Sequence, residues 1–279
     1  MPDIGFVNGR FMPLAEATVS VEDRGFQFGD GVYEVIRTYG GRPYRLEAHL
    51  ARLERSAKAL GISMPFSMSQ WSSFVTEGLR LTGYGDTKVY LQLTRGVAPR
   101  DHLIPTEVQP TAVMTFREMR PMDPAMQAAG VAAITVEDFR WGRCDIKSVN
   151  LLANVLARQM ARDAGVFETI FVRGGQVTEG AVSNVMLIRR GVLVTPPESE
   201  RILSGVTRTV VLEVARHGGV PVEERAVRIE ELRIADEAFL TGTTVEILPL
   251  ICLDGSPIGA GRPGELSTRL KAWFRATHE

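Results

Sequence analysis

Lysine is scarce in this chain: 28 arginines stand beside four lysines, Lys58, Lys88, Lys147 and Lys271. A lysine that bonds covalently to a carbonyl carbon must release its proton near neutral pH, which takes burial or a neighbouring cation. Lys58 falls on the polar side of an amphipathic pattern, Lys271 in a charged terminal helix, and Lys88 at a strand start as an edge charge. Each reads as solvated. Lys147 differs. It stands in Arg140-Trp141-Gly142-Arg143-Cys144-Asp145-Ile146-Lys147-Ser148, after a strand-like segment and just before a helix, with two arginines as nearby cations. The plainer alternative is a surface pair with Asp145. Three further stretches could serve such a lysine. In Val177-Thr178-Glu179-Gly180-Ala181-Val182-Ser183-Asn184, Glu179 alone reads as a turn residue. Leu203-Ser204-Gly205-Val206-Thr207-Arg208 opens a helix, whose first N–H groups and dipole suit a phosphate, although Ser204 as a simple N-cap explains it too. Thr241-Gly242-Thr243-Thr244 offers a second such turn. Thr94-Arg95-Gly96-Val97-Ala98-Pro99-Arg100-Asp101-His102 reads by itself as a solvated turn, although the planar fork of Arg100 and the donor of His102 would also suit a carboxylate.

The elements that must position these residues follow from periodicity. Asn8-Gly9 marks a hairpin. Residues 32–39, Gly40-Gly41 and residues 42–46 read as a second. Leu50, Leu53, Ala57 and Leu60 recur at helical spacing until Gly61, and a second amphipathic helix covers 69–81. Strands follow at 89–93 and 112–116. The proline- and charge-rich run 117–124 lacks periodicity and reads as a link between domains. The expected division is 1–118, a linker at 119–126, and 127–279. The second half offers strands at 131–136, 169–172, 185–188, 192–194, 238–240 and 247–253. Its helices are expected at 148–164, 207–217 and before Phe274. Without regular βαβ alternation, the class is α+β in two domains.

Bulk properties narrow the setting. Hydrophobic residues at 44% and charged residues at 23% are those of a globular protein, and a net charge of -1 advertises no nucleic-acid or anionic-membrane surface. Two cysteines make no disulfide framework, and no Cys/His cluster suggests a metal. MPDIGFVNGRF lacks a basic region followed by an apolar one, so a cytoplasmic setting is expected.

Together with Glu22-Asp23-Arg24-Gly25-Phe26-Gln27-Phe28-Gly29-Asp30-Gly31-Val32-Tyr33-Glu34, these stretches resemble, in order and spacing, the fold-type IV pyridoxal-phosphate enzymes. The resemblance runs from about Glu22 to Gly255. Within that family the 94–102 motif looks most like the D-amino acid aminotransferases. The resemblance implies that Lys147 carries pyridoxal 5'-phosphate as a Schiff base and acts as general base, and that Glu179 meets the pyridine nitrogen. It implies that Arg52, Val206, Thr207 and Thr243 hold the phosphate while Leu203 packs against the ring. It assigns the substrate carboxylate to Tyr33, with Arg100 and His102 from the other subunit of a homodimer. Amino acids and 2-oxo acids such as 2-oxoglutarate and pyruvate are the implied partners. Relatives carry serines where Ala181 and Val182 stand here, leaving Ser183. The rivals on the same fold are a branched-chain L-amino acid aminotransferase and an aminodeoxychorismate lyase. A third is a dimer that binds the cofactor without turnover.

Overall fold

Asn8 and Gly9 take φ angles of 47° and 93°, the paired left-handed conformation that a two-residue hairpin turn requires. They join β1 (Ile4–Val7) to β2 (Arg10–Pro13) in the computed structural model, which describes residues 2–278. The chain continues through α1 (Arg24–Phe28), β3 (Gly31–Tyr39), β4 (Arg42–Pro43), α2 (Leu46–Ala59), α3 (Met68–Thr82), β5 (Thr87–Thr94) and β6 (Thr111–Glu118). These strands form one sheet in the order β2-β1-β6-β5-β3-β4, antiparallel throughout. The expected strand at 42–46 is cut to Arg42–Pro43 because proline has no N–H for the ladder, Arg45 turns to φ 51°, and Leu46 already starts α2.

The two-residue period of the strands gives this sheet two unlike faces. On β3, Val32, Glu34, Ile36 and Thr38 are buried, whereas Tyr33, Val35, Arg37 and Tyr39 are half-buried. The buried face packs under α2 and α3, where Leu50, Leu53, Trp71 and Val75 join Ile36, Leu91, Met114 and Phe116 in one core. The approach of α3 is close: a Cβ on Gly78 would stand 2.1 Å from the Phe116 ring. Ser67 and Gln70 cap that helix reciprocally, and Gly83 ends it in the left-handed conformation. Lys88 proves to lie on an interior strand rather than at an edge, with its side chain exposed.

The chain divides into two units. One runs to Arg120 and takes in Ile146–Asn150; the other comprises Pro121–Asp145 and the chain from Leu151 onward. The short return explains why the helix expected from 148 begins only at Leu152. Near its start β3 lacks the neighbour that β4 provides further along, and residues 146–150 take that edge. Val32 bridges Ser148, the Tyr33 N–H donates to the Lys147 carbonyl at 2.9 Å, and the Val149 N–H donates to Gly31 at 3.0 Å.

The second unit holds α4 (Pro124–Ala129), β7 (Val131–Glu137), α5 (Leu152–Asp163), β8 (Glu168–Arg173), β9 (Gln176–Gly180), β10 (Asn184–Arg189) and β11 (Val192–Thr195). It continues with α6 (Val206–His217), β12 (Val222–Glu224), β13 (Val227–Arg228), α7 (Ile229–Arg233), β14 (Glu237–Gly242), β15 (Glu246–Leu253), β16 (Ser256–Pro257) and α8 (Glu265–Arg275). Its sheet runs β12-β11-β10-β14-β15-β7-β8-β9-β13, with β16 beside β15. β7 is parallel to both β8 and β15, and β11 to β12, so α5 and α6 each make a βαβ crossover in an otherwise largely antiparallel α+β fold. Val131, Ile170, Leu187, Leu240, Leu248 and Leu250 fill its core.

Candidate active site

Lys147 is fixed along its backbone but has no partner of opposite charge. Its N–H donates to Ser56 Oγ at 3.2 Å, and its carbonyl accepts from Tyr33. The half-buried side chain lays Nζ 4.2 Å from the centroid of the Tyr33 ring. Among the described residues no carboxylate lies within ion-pair distance of that amine. Asp145, the alternative partner, accepts instead from Arg143 Nε and Nη2 at 3.0 and 2.9 Å.

Within the same unit a buried ionic cluster lies beneath the sheet. Glu34 projects from β3 into the core and meets two residues of α2 spaced three apart, hence on one helix face. Arg52 donates to it through Nε and Nη2 at 2.7 and 2.8 Å, and His49 Nδ1 lies 2.7 Å away. Burial alone would raise the Glu34 carboxyl, but the charge and hydrogen bonds of Arg52, with the His49 contact, outweigh it and hold the group at about 2. Burial pushes the His49 imidazole below its ordinary value, and the charges of Arg52 and Lys147 act in the same direction against the Glu34 contact. Both shifts destabilise the fold in acid. Glu34 contributes fully above its ordinary value of 4.5 and loses that contribution as pH falls towards about 2. Below about 6.5 the unfolded chain also gains a proton that buried His49 resists. The Glu34 share is roughly 3 kcal/mol. Denaturant titrations at pH 7, 4.5 and 3 should show a steep acid limb in the wild type and a flatter one in Glu34→Gln. Equal limbs would deny Glu34 this role.

In the second unit Glu179 lies on a strand rather than in the turn its glycine neighbour suggests. β9 carries one residue too many there: Ile170 pairs with Gly180 and Val172 with Val177, so Thr178 and Glu179 together oppose Phe171. Such a bulge breaks the alternation of side chains. Both residues consequently reach one guanidinium, that of Arg140. Its Nη1 donates to Glu179 Oε1, and its Nη2 donates to Thr178 Oγ1 at 3.2 Å. Arg140 also donates through Nε and Nη2 to the two oxygens of Asp138, both at 2.9 Å, and lies 4.4 Å over the Phe171 ring. The other Glu179 oxygen accepts the Leu203 N–H at 3.0 Å and Asn184 Nδ2 at 3.2 Å. These three partners all donate to the carboxylate and fix its direction. Burial would raise Asp138, but the hydrogen bonds and charge of Arg140, with Arg173, bring it below its usual range. Arg140 is therefore committed to carboxylates rather than standing as a bare cation. Burial pushes the Cys144 thiol up to about 11, a poor nucleophile.

The start of α6 is open to an anion. Gly205 is the N-cap, without a side-chain cap, and Ser204 donates instead to Glu198 at 2.7 Å. Thr209 is the first residue whose N–H bonds back to Gly205, so the N–H groups of Val206 and Thr207 have no acceptor in the helix. A Cβ on Gly205 would lie 2.0 Å from Asn184 Oδ1, so only glycine lets the backbone come this close. Thr243 is half-buried in the turn between β14 and β15, and the Oγ1 of neighbouring Thr241 is buried with no partner. Ala181 is buried and Val182 is 62% exposed, while the Ser183 hydroxyl is spent on Glu168 at 2.9 Å.

Arg100 and His102 share a loop of the first unit and meet around Phe28, the last residue of α1. The guanidinium of Arg100 lies 4.5 Å over that ring, and the His102 ring is 5.4 Å from it. Arg24, anchored by Asp30 at 2.9 Å, donates to the carbonyls of Asp101 and Leu103 on either side of His102. The loop is thus built rather than loose, yet both side chains are exposed. No hydrogen bond or ring contact joins either to Tyr33. Arg140, Asp138, Asn184, Glu34 and His49 were not among the expected site residues. A buried charge announces itself only through partners distant in sequence.

Residues 31–251 match the family described as Amino-transferase class IV. The D-alanine aminotransferase of Bacillus licheniformis is 45% identical over 265 residues, covering 95% of this chain and 93% of that protein. The D-alanine aminotransferase of Staphylococcus haemolyticus is 41% identical over 272 residues, covering 96% and 95%. Among solved structures, the branched-chain amino acid aminotransferase of Escherichia coli superposes with a TM-score of 0.92 at 25% identity, covering 99% of this chain and 94% of that one.

Proposed function

The chain belongs to the class IV aminotransferases, and from that premise we propose that it moves amino groups between D-amino acids such as D-alanine and 2-oxo acids, with pyridoxal 5'-phosphate as its cofactor. The observation that carries the reading is the Lys147 amine, half-buried over an aromatic ring and without a carboxylate to neutralise it. The fit of the cofactor is supported by the open first turn of α6, the orphaned Thr241 hydroxyl and a carboxylate at Glu179 ringed by donors. Those features suit a group with a phosphate at one end and a basic ring nitrogen at the other.

When bound, the cofactor serves as a sink for the electron pair released at the substrate's α-carbon. Lys147 is the covalent anchor and, once displaced, the base that takes the α-proton on its Nζ. Glu179 would meet the ring nitrogen and favour its protonated form. Arg52, the backbone at Val206 and Thr207, and Thr243 would hold the phosphate, and Leu203 would pack against the ring. Tyr33 receives the substrate carboxylate together with Arg100 and His102.

We assign those last two to a second copy of the chain, as a homodimer. The exposed apolar residues around their loop, Val21 at 71%, Phe26 at 74% and Leu103 at 77%, support a covered surface there. So does the exposed stripe of Leu152, Val155, Leu156 and Met160 along α5 in the second unit. Among the described residues no helix is long and apolar enough to cross a membrane.

The test is a visible spectrum of the purified protein. Adding D-alanine should remove an absorption band near ~410–420 nm and raise one near ~330 nm. A response to L-leucine and none to D-alanine would move the chain to the branched-chain group. Arg100→Ala should raise the KM for D-alanine by about ten- to a hundredfold, the loss of a charge-assisted carboxylate contact, and leave the visible band intact. A fall in cofactor binding with unchanged KM would place Arg100 elsewhere.

A further inference from the structure

Tyr33 and Lys147 are docked to each other twice, through the backbone and through the ammonium–ring contact. Whatever fixes the Tyr33 ring therefore fixes the surface on which the amine rests. β3 and β5 pair with Tyr33 opposite Gln92 and Val35 opposite Tyr90, so Tyr33, Tyr90 and Gln92 share the half-buried face of the sheet. The Tyr33 and Tyr90 rings stack with centroids 5.7 Å apart and planes at 29°. Tyr90 in turn donates its hydroxyl to Gln92 Oε1 at 2.6 Å, a tether to the next residue on the same side of the same strand.

We infer that Tyr90 and Gln92 are positioning residues: a ladder from Gln92 through Tyr90 to Tyr33 that holds the carboxylate-binding tyrosine in register with the Lys147 amine. Each rung is of a kind that fixes direction. A tyrosine ring on a strand has two rotatable angles. The Gln92 bond pins the far end of the Tyr90 ring, and stacking passes that constraint to Tyr33. The tether also persists with pH. Burial, with the neighbouring Tyr33 adding to it, pushes the Tyr90 hydroxyl up to about 12, so it remains a donor wherever the protein works. Neither residue bonds to Lys147 or to the ionic cluster of Glu34, which sits on the opposite face of β3. The ladder can be altered without removing a group that the reaction uses. This inference rests on the transaminase reading given above, since it is that reading that gives Tyr33 a carboxylate to bind.

The experiment uses the cofactor-loaded full-length protein, with D-alanine as donor. Tyr90→Leu removes the stack and should raise the KM for D-alanine about five- to tenfold, with kcat changed less than about twofold. The visible band and the melting temperature should stay close to the wild type. Tyr90→Phe and Gln92→Leu each delete one end of the same hydrogen bond, so each should raise KM by about two- to fourfold. The double variant should be no worse than either single one, which is the signature of a shared interaction. Additive effects, or an unchanged KM in a fully loaded Tyr90→Leu, would overturn the ladder alone. Loss of the visible band in Tyr90→Leu would also overturn it, by showing that the stack serves cofactor retention. A wild type whose band ignores D-alanine would overturn the transaminase reading and the ladder with it.

Discussion

Lys147→Ala should yield a folded protein with no visible absorption band from bound cofactor and turnover reduced by about 10⁴-fold or more. The loss should be chemical rather than structural. The contacts that hold the strip 146–150 against β3 come from its backbone, and alanine retains them. The side chain itself makes one contact of note, with the Tyr33 ring, so stability should fall by no more than about 1 kcal/mol. Circular dichroism and thermal melting establish the fold, an absorption spectrum reads the cofactor, and single-turnover measurement with D-alanine reads the chemistry. A small primary amine supplied in solution should restore part of the lost proton transfer, because the cavity left by the side chain would admit it. A variant that keeps both its band and its turnover would remove Lys147 from the reaction.

Glu179→Gln should be the next most damaging change, and it should act in two separable ways. Arg140, Asn184 and the Leu203 N–H all donate to this carboxylate. A glutamine amide must turn its own N–H groups towards one of them, leaving a buried donor unmatched at a cost of about 1–3 kcal/mol. Arg140 keeps Asp138, so the network is weakened rather than dissolved. Catalysis should suffer more. On the proposal that Glu179 would meet the ring nitrogen of the cofactor, α-proton removal should slow by on the order of 10²-fold. Measuring single-turnover rates on loaded protein well below its melting temperature separates the two effects. A rate equal to that of the wild type would reduce Glu179 to a structural partner of Arg140.

How much of this was legible beforehand depended on the range of the interactions. The hairpin at Asn8-Gly9, the helices α2 and α3 and the start of α6 are set by neighbours, and periodicity with turn chemistry located them. Lys147 stood out through the rarity of its residue type. The return of residues 146–150 to β3 was hidden, because a strand edge 116 positions away from Ser148 decides it. Hence Ser148 looked like the start of a helix. Arg140 was visible as a cation, but its commitment to Asp138 and Glu179 was not. Glu34 ends the 22–34 run without a role of its own there, and nothing in the sequence singles out His49. Only packing brings them together and makes a buried charge tolerable. Taken alone, Glu179 reads as a turn residue for a related reason: the glycine after it lies in a strand whose pairing slips by one residue.

That slip has a consequence for how this region can vary. Because the acid is aimed by an excess of one residue over its partner strand, the segment from Val177 to Gly180 is constrained in number as well as in kind. Excising a single amino acid there would let the two strands pair in phase, leaving one side chain opposite Phe171 where two now reach Arg140. A gap of one codon should therefore silence the protein more surely than most replacements in the same stretch, even if the shortened hairpin were the more regular.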